Sequence, residues 1–270
     1  MVENVGVIGL GFVGNALYQS FIAKSDILNV SGYDKYKNGG IGSIKDMINT
    51  DIVFLCLPTL YSEDKKTYDL EALFDVCQAL TENQYKGVVV VKSTILPGTC
   101  NMLVEKYGLS IIHNPEFLSA KTANQDFENQ KHIVIGVPKN VNKTYGNIIT
   151  RFYQQHYTLA DISVCGSNES ETMKICANSY YAVKIQFFNE IYLLCQKQGT
   201  DFDQTVSLML KNGWINPMHT NVPGHDGSLS YGGACFPKDT QALLALMKKE
   251  ESAHQVLEAC VKERNHLRKD

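Results

Sequence analysis

The sequence lacks the features that mark several common classes of protein. It has no excess of basic residues, because the formal net charge of its 270 residues is -3, and so it gives no sign of a nucleic-acid partner. No apolar run approaches the roughly 20 residues that a membrane-spanning helix needs. The first residues do not combine a basic segment, an apolar core and a cleavage site, so we expect no signal peptide and no membrane partner.

Cysteines are present, but they form neither a disulfide framework nor a metal-binding pattern. The eight cysteines are scattered, none belongs to a CxxC pair, and no Cys/His spacing resembles a zinc site. Several lie within apolar runs, where cysteine behaves as a small hydrophobic residue. Scattered thiols in a chain of this size indicate a reducing compartment, so we expect a cytoplasmic protein without a metal.

The first half of the sequence alternates short apolar runs with longer amphipathic stretches. The runs VFLCL and VVVV have no polar alternation, which is typical of strands buried on both faces. This order of elements predicts an α/β fold with a Rossmann-type, doubly wound parallel sheet. The predicted strands are 5–8, 27–33, 51–57, 87–92, 110–113, 132–136 and 161–165, with helices that include 14–24 and 70–82.

The second half has a different character. One long helix is predicted over 167–198, with Gly199 as its stop, and a second over 201–211. A loop rich in Gly, Pro and Asn follows over 213–235, and Pro237 can open another helix. We therefore predict a Rossmann-type domain over 1–166 and an all-helical domain over 167–270.

A glycine motif follows the first predicted strand directly and opens a predicted helix. Gly9, Gly11 and Gly14 have the GxGxxG spacing, which allows a tight turn and close approach of the backbone to a pyrophosphate. The start of the helix presents N–H groups to the phosphates. Asp34 ends the second strand, twenty residues after Gly14, where a carboxylate binds a ribose 2′-OH and disfavours a 2′-phosphate. The sequence therefore predicts NAD as the cofactor, although Lys35 and Lys37 weaken the preference over NADP.

Polar residues follow the later strands at the sheet edge where such folds bind ligands. Pro58 and Thr59 follow the third strand, the segment KST ending in Thr94 follows the fourth, and HNPE ending in Glu116 follows the fifth. Ser93 and Thr99 are better explained as turn or cap residues. Thr94 and Glu116 are the stronger candidates for function.

Two groups in the second half suggest chemistry. Lys174 and Asn178 are four residues apart, so they share one face of the long helix, and Lys174 lies among apolar residues. Cys235 lies between a glycine pair and Pro237, just before a predicted helix whose dipole favours a thiolate. Cys235 is thus a candidate nucleophile. The alternative is a structural cysteine at the entry to a helix.

Six segments, in this order, resemble the motifs of the UDP-glucose/GDP-mannose dehydrogenase family. They are GVIGLGFVGNAL, DIVFLCLPT, VVKSTILPGT, HNPEFL, ETMKICANSYYAVKIQFFNE and SYGGACFPKDT, and they span nearly the whole chain. The pair NPEFL and GGxCFPKD is nearly diagnostic. The resemblance implies an enzyme that uses two NAD+ to oxidise the 6-hydroxymethyl group of a nucleotide-linked sugar to a carboxylate.

The resemblance also implies roles for individual residues. Cys235 would attack the intermediate aldehyde to give a thiohemiacetal, which a second hydride transfer converts to a thioester that water hydrolyses. Lys174 and Asn178 resemble the family's stabilisers of oxyanions, and Asp239 would help to position the nucleophile and a water. The long helix resembles the family's dimer-forming element, which implies a homodimer.

The remaining implied residues handle protons or bind ligands. Thr94 and Glu116 resemble the family's water- and proton-handling pair, with Glu116 as a candidate base. The implied cofactor-binding residues are Gly9, Gly11, Phe12, Val13, Gly14, Asp34, Pro58, Thr59 and Thr94. The implied substrate-binding residues are Glu116, Phe117, Leu118, Lys174, Asn178, Tyr231, Gly232 and Gly233.

The sequence departs from the family pattern in several places. Only 31 residues follow Asp239, too few for the family's third, nucleotide-gripping domain, so we expect a shortened form in which this grip is missing or supplied by another protein. Ala120 occupies a position where the family often has a second Glu, which would slow or reroute thioester hydrolysis. The stretch from Asp34 to Asp51 is short, and the loop VPGHDGSLSYGG is unlike the commoner substrate loop.

Alternative functions follow from these departures. One is an NAD-dependent dehydrogenase of a different alcohol or sugar, which stops at the aldehyde. Another is an NAD-binding partner subunit without catalysis, which the joint presence of Cys235, Lys174 and Asp239 argues against. A third is a hydroxyacid dehydrogenase that relies on a lysine and needs no cysteine.

Overall fold

Two compact units make up the computed structural model, which describes residues 2–269. The first unit comprises Met1–Leu60 and Tyr68–Lys174, and the second comprises Tyr61–Thr67 and Ile175–Asp270. The long helix begins at Ser167, next to the predicted domain boundary, whereas the division between the units falls inside this helix, after Lys174. The assignment of domain roles to 1–166 and 167–270 stays a prediction.

The secondary structure alternates strands and helices through the first unit. Within residues 2–269 the strands are β1 (Asn4–Ile8), β2 (Asn29–Tyr33), β3 (Ile52–Leu55), β4 (Tyr61–Ser62), β5 (Thr67–Tyr68), β6 (Val88–Val91), β7 (Ser110–His113), β8 (His132–Val137) and β9 (Asp161–Gly166). The α-helices are α1 (Phe12–Ile22), α2 (Glu71–Glu82), α3 (Thr99–Tyr107), α4 (Ala123–Glu128), α5 (Lys143–His156), α6 (Ser167–Gln198), α7 (Phe202–Leu210), α8 (Phe236–Lys249) and α9 (Gln255–Leu267).

Seven strands form one sheet in the order β2-β1-β3-β6-β7-β8-β9. The first five are parallel to one another, and β8 pairs in parallel with β9. The pairing of β7 with β8 is antiparallel, through His113 and Gly136. The predicted parallel sheet is therefore confirmed with one reversal. Apolar runs indicate burial on both faces of a strand but not its direction, so the antiparallel pairing of β7 with β8 could not be predicted from the sequence.

Successive residues of the central strands point to opposite faces and build two separate cores. Ile52 and Phe54 pack with residues of α1, α4 and α5 on one face. Val53 and Leu55 pack with residues of α2 and α3 on the other. Both faces of the sheet are thus covered by helices, which confirms the doubly wound fold and explains why its strands lack polar alternation.

The second unit contains α6 from Ile175 onwards, α7, α8 and α9, a long loop between α7 and α8, and the short segment Tyr61–Thr67. Helix α6 has 32 residues and the bounds predicted from the sequence. Helix α7 begins after Asp201, whose carboxylate accepts a hydrogen bond from the Gln204 backbone N–H and caps the helix. No helix between residues 2 and 269 combines the length and the hydropathy that a membrane span requires.

Candidate cofactor and active site

The turn between β1 and α1 is built by glycines with different tasks. Gly9 has a φ of 85°, and a Cβ on it would lie 2.4 Å from the carbonyl oxygen of Cys56. A Cβ on Gly14 would lie 1.8 Å from the carbonyl oxygen of Gly9. A Cβ on Gly11 would meet nothing within 4 Å. Gly9 and Gly14 therefore serve the packing of the turn, whereas the open space at Gly11 fits a pyrophosphate approaching the backbone.

A cavity of about 440 Å³ lies beside this turn, lined by Leu10, Gly11, Phe12, Asn15, Asp34 and Lys37. It brings together Gly11, Phe12 and Asp34, all predicted to bind the cofactor. Asn15 was not predicted, and its position in the first turn after the glycine motif is the signal that could have found it. The residues present therefore fit the adenosine half of a dinucleotide, with the pyrophosphate at the start of α1.

Asp34 is fixed by hydrogen bonds from three backbone N–H groups. Its Oδ2 accepts from Leu10 at 2.7 Å, and its Oδ1 accepts from Tyr36 at 3.0 Å and from Lys37 at 2.9 Å. Burial raises the pKa of Asp34, but these N–H groups together outweigh it and hold the pKa below its usual value. A carboxylate that stays ionised is suited to a ribose hydroxyl. Lys37 reaches back to the carbonyl of Leu10 at 2.6 Å.

The ends of β3 and β6 are joined by hydroxyl groups. The Ser93 Oγ donates to the carbonyl of Leu57 at 2.7 Å, and the Thr59 Oγ1 donates to the carbonyl of Thr94 at 2.7 Å. Thr59 and Thr94 are both buried. Ser93 thus bonds to backbone groups, as a turn residue does, which is the interpretation that the sequence favoured. Pro58 lies between Leu57 and Thr59. The predicted residues Pro58, Thr59 and Thr94 therefore lie together at the carboxyl ends of β3 and β6.

Glu116 and Lys174 form a nearly buried pair in the first unit. The Lys174 Nζ lies 3.3 Å from the Glu116 Oε1 and donates to the Glu116 carbonyl at 2.5 Å. The other carboxylate oxygen accepts from the Leu118 backbone N–H at 2.6 Å. The ring of Phe117 lies 5.1 Å from the Lys174 Nζ. The structure therefore brings four predicted residues together, while their catalytic and binding roles stay predictions.

Cys235 is the N-cap residue of α8, with Pro237 in the first turn of the helix. Gly233, two residues earlier, has a φ of 80°, a left-handed conformation that favours glycine. The Cys235 carbonyl accepts from the Asp239 backbone N–H at 3.0 Å. The predicted location just before a helix start is therefore found in the structure. The role of Cys235 as a nucleophile stays a prediction.

Asp239 is fully buried one turn into α8 and binds two polar side chains. The Asn178 Nδ2 donates to its Oδ2 at 2.6 Å, and the Lys238 Nζ lies 2.6 Å from its Oδ1. Lys174 lies one turn before Asn178 on α6. The helix that starts at Cys235 is thus bonded through Asp239 to α6, a contact that the sequence did not predict, and the roles of Asn178 and Asp239 stay predictions.

The loop before Cys235 is fixed by hydrogen bonds and an ion pair that the sequence did not predict. The Arg264 Nε donates to the Tyr231 carbonyl at 3.2 Å, and the Asn189 Oδ1 accepts from the Ser230 backbone N–H at 2.8 Å. Arg268 forms an ion pair with Asp226. A Cβ on Gly232 would lie 2.2 Å from the guanidinium group of Arg268. These partners lie in α6 and at the end of α9, far from the loop in sequence, so only the folded chain reveals them.

Residues that could hold a metal are not grouped anywhere in the described part of the chain. Between residues 2 and 269 no three His, Cys, Asp or Glu side chains are arranged for a metal ion. All eight cysteines are thiols.

The fold, the glycine turn and the acid at the end of β2 define an α/β dinucleotide-binding protein. Two family models match the chain: the NAD-binding domain of the UDP-glucose/GDP-mannose dehydrogenase family over residues 40–157, and its central domain over residues 168–266. Together they cover more than half of the sequence, so the chain belongs to the UDP-glucose/GDP-mannose dehydrogenase family. The match to the NAD-binding domain confirms the predicted cofactor, and the glycine turn lies just outside the matched range.

Individual relatives support the same assignment. The UDP-glucose 6-dehydrogenase of Campylobacter jejuni is 29% identical over 198 residues, which are 73% of this chain and 49% of that protein. The UDP-glucose 6-dehydrogenase YwqF of Bacillus subtilis is 29% identical over 231 residues, 82% of this chain and 50% of that protein. The chain thus spans about half the length of the curated relatives it matches.

Solved structures share the fold. A UDP-glucose dehydrogenase from Pyrobaculum islandicum has a TM-score of 0.85 at 24% identity, over 98% of this chain and 68% of that one. Since the identity is low, this similarity shows the fold alone, and the family assignment rests on the sequence matches.

Proposed function

We propose that this chain is an NAD-dependent dehydrogenase that oxidises the 6-hydroxymethyl group of a nucleotide sugar, such as UDP-glucose, to a carboxylate. The observation that carries the proposal is the bond between Asn178 and the buried Asp239, one turn after Cys235. Asn178 of α6 is thereby bonded to the helix that begins at the candidate nucleophile. The names of the relatives support the substrate class.

The proposed reaction has two oxidation steps joined by a covalent intermediate. When bound, NAD+ supplies the hydride acceptor for both. In the first step the substrate hydroxyl loses its proton to a base, and the carbon loses a hydride, which gives an aldehyde. The Cys235 thiolate then forms a bond to the aldehyde carbon, and the oxyanion takes up a proton to give a thiohemiacetal.

The second oxidation leads to release of the product. Loss of the thiohemiacetal hydroxyl proton and of a second hydride, to a second NAD+, gives a thioester on Cys235. Water adds to the acyl carbon, and the bond to sulfur breaks with the thiolate as leaving group. Lys174 and Asn178 donate hydrogen bonds to the oxyanions, a class of interaction that often supplies the largest catalytic effect. Glu116 is the proposed base, and Thr94 positions a water.

The residues of the loop and of the NPEFL motif are proposed to bind the substrate. Phe117 is 43% exposed and stacks on His132, so its ring offers an apolar surface beside Lys174. Tyr231 is buried and fixes the loop from which Gly232 and Gly233 present their backbone. These contacts support a role in substrate binding for each of the two segments taken by itself.

A homodimer and a cytoplasmic location complete the proposal. Tyr180, Phe187 and Leu194 are all at least half exposed and are spaced by seven residues along α6, so they lie on one helix face. Exposed apolar stripes of this kind mark interfaces between chains. The eight thiols support a reducing compartment.

The proposed function is tested by NADH absorbance with NAD+ and a panel that includes UDP-glucose and GDP-mannose. We expect NADH with at least one nucleotide sugar, loss of the signal in Cys235→Ala, and retention in Cys176→Ala, which removes an exposed thiol on α6. If no nucleotide sugar yields NADH, the substrate class is wrong. If Cys235→Ala keeps full activity, the covalent mechanism is wrong.

A further inference from the structure

A second cavity of the first unit lies at the amino-terminal ends of the strands, away from the glycine turn. Its volume is about 570 Å³, and it is lined by Val2 before β1, residues 48–51 before β3, residues 86–88 at the start of β6, and one side of α5. These strands are parallel, so the glycine turn, which follows β1, lies at their other ends. The two cavities share no lining residue. A volume of this size is typical of small-molecule sites.

Helix α5 supplies one wall of this cavity. Its lining residues are Tyr145, Ile148, Arg151, Phe152 and Gln155, which recur every three or four positions and therefore share one side of the helix. Two of the five are aromatic, one is aliphatic and one is a cation. The wall thus combines an apolar surface with a positive charge.

The segments before the strands supply further apolar surface. Val2 and Ile48 line the cavity and are partly buried, each packed against one of the two cores of the sheet. Val88, the first residue of β6, lines it as well. Aliphatic groups therefore lie on the strand side and aromatic groups on the helix side, an arrangement that suits a flat, apolar ligand.

Two cations line the cavity from elements far apart in sequence. Lys86 precedes β6 and Arg151 lies on α5, and both are exposed. Within residues 2–269 neither has an ion pair or a side-chain hydrogen bond. Asp51 also lines the cavity, but its Oδ2 accepts from the backbone N–H groups of Glu3 and Asn4, each at 2.9 Å. The carboxylate is thus bonded within the chain, while the two cations can meet an acidic group.

We propose that this cavity binds a small aromatic anion, whose ring packs between α5 and the aliphatic groups of the strand side and whose acidic group meets Lys86 and Arg151. Burial of the ring supplies the hydrophobic part of the binding energy. The guanidinium of Arg151 can form two parallel hydrogen bonds to an acidic group, which selects an anion over a neutral ring. The site is separate from the cofactor cavity and from Cys235, so it does not depend on the proposed function.

The test is a fluorescence titration with anilinonaphthalene sulfonate, an aromatic anion, with and without saturating NAD+. We expect saturable binding that NAD+ leaves unchanged, because NAD+ fills only the cofactor cavity. Lys86→Met and Arg151→Met should each weaken binding by about threefold, as for an exposed charge pair, and the double variant by about tenfold. Lys139→Met removes an exposed lysine between β8 and α5 that lines neither cavity, and it should bind like the unaltered chain.

The outcomes separate this inference from the proposed function. No saturable binding by the unaltered chain, or equal dissociation constants in all five proteins, would overturn the inference. Displacement of the probe by NAD+ would place the probe in the cofactor cavity and would also overturn it. A chain that binds the probe as expected but forms no NADH with any nucleotide sugar would keep this site and lose the proposed function.

Discussion

In the turn after β1, Gly14 is required by the packing of the fold, whereas Gly11 leaves space for a ligand. Gly14 is needed because any Cβ would overlap the Gly9 carbonyl, whereas the space at Gly11 is open. Such a division explains why the spacing of the motif carries information about both fold and ligand. It also means that substitutions at the two positions should fail in different ways.

The first prediction compares Gly11→Val with Gly14→Val. We expect Gly11→Val to keep its free energy of unfolding within about 1 kcal/mol but to lose NAD affinity at least tenfold, because the side chain fills the space of the pyrophosphate. Gly14→Val should lower the free energy of unfolding by about 2–4 kcal/mol, because its Cβ would displace the turn. Urea unfolding and NAD calorimetry measure the two effects. Loss of stability in Gly11→Val alone would contradict this account.

The second prediction concerns Lys92 and pH. Its pKa is about 8 in the folded protein, below the ordinary value, so the folded state holds the proton less tightly than the unfolded state. The stabilisation from this group is therefore present above the ordinary lysine pKa and is lost as the pH falls towards 8. Relative to Lys92→Met, the free energy of unfolding should rise by about 3 kcal/mol between pH 8 and pH 10.5. Parallel pH profiles of the two proteins would refute the prediction.

At the scale of elements, one side chain of α6 caps another helix. The Glu171 carboxylate is fully buried and accepts from the backbone N–H groups of Gly98 at 2.6 Å and Cys100 at 2.8 Å. These are orphan donors at the start of α3, the helix that follows the segment carrying Thr94. Glu171 thereby joins the first turns of α6 to the edge of the proposed cofactor site.

The third prediction follows from this cap. Glu171→Ala should lower the free energy of unfolding by about 2–3 kcal/mol, because two buried N–H groups lose their acceptor. Glu169→Ala, which removes an exposed carboxylate two residues earlier on α6, should change it by no more than about 0.5 kcal/mol. Urea unfolding of the two variants side by side tests this. Equal effects would mean that Glu171 is not a specific cap.

Elements differ in how far the sequence reveals them. The runs around Val88–Val91 and Ile52–Leu55 predicted their strands because burial on both faces leaves an unbroken apolar signal. Helix α6 was predicted with its full length, since Gly199, at a φ of 68°, ends it. The reversal at β8 and the Arg264 contact to Tyr231 depend on residues far apart in sequence, which no local pattern encodes.

In the candidate site, too, the sequence indicates single residues but not the contacts between residues that are far apart in the chain. Cys235 and Glu116 could be proposed because a glycine pair, a proline and a strand end mark them in the sequence, and the family resemblance added Asp239. Their roles stay predictions. Lys92 and Asn114 were also visible at strand ends, but their mutual bond was not. A lysine that directly follows four valines of a buried strand is the signal that could have identified it.

At the scale of the whole molecule, the exposed stripe on α6 predicts self-association. Tyr180, Phe187 and Leu194 would form the seam between two copies, as in other helix pairs with a seven-residue spacing. Phe187→Glu should shift the mass measured by light scattering from a dimer to a monomer. Leu208→Glu, at an exposed leucine of α7 outside the stripe, should not. A monomer for the unaltered chain would contradict the proposed homodimer.

The central claim is a four-electron oxidation through Cys235, and the number of NADH molecules formed per sugar tests it most directly. The measurement uses a limiting amount of the reactive nucleotide sugar, excess NAD+, and Cys235→Ser beside the unaltered chain. The account predicts two NADH per sugar and a carboxylate product, with no turnover to the acid in Cys235→Ser. One NADH per sugar with an aldehyde product, or two NADH from Cys235→Ser, would contradict it.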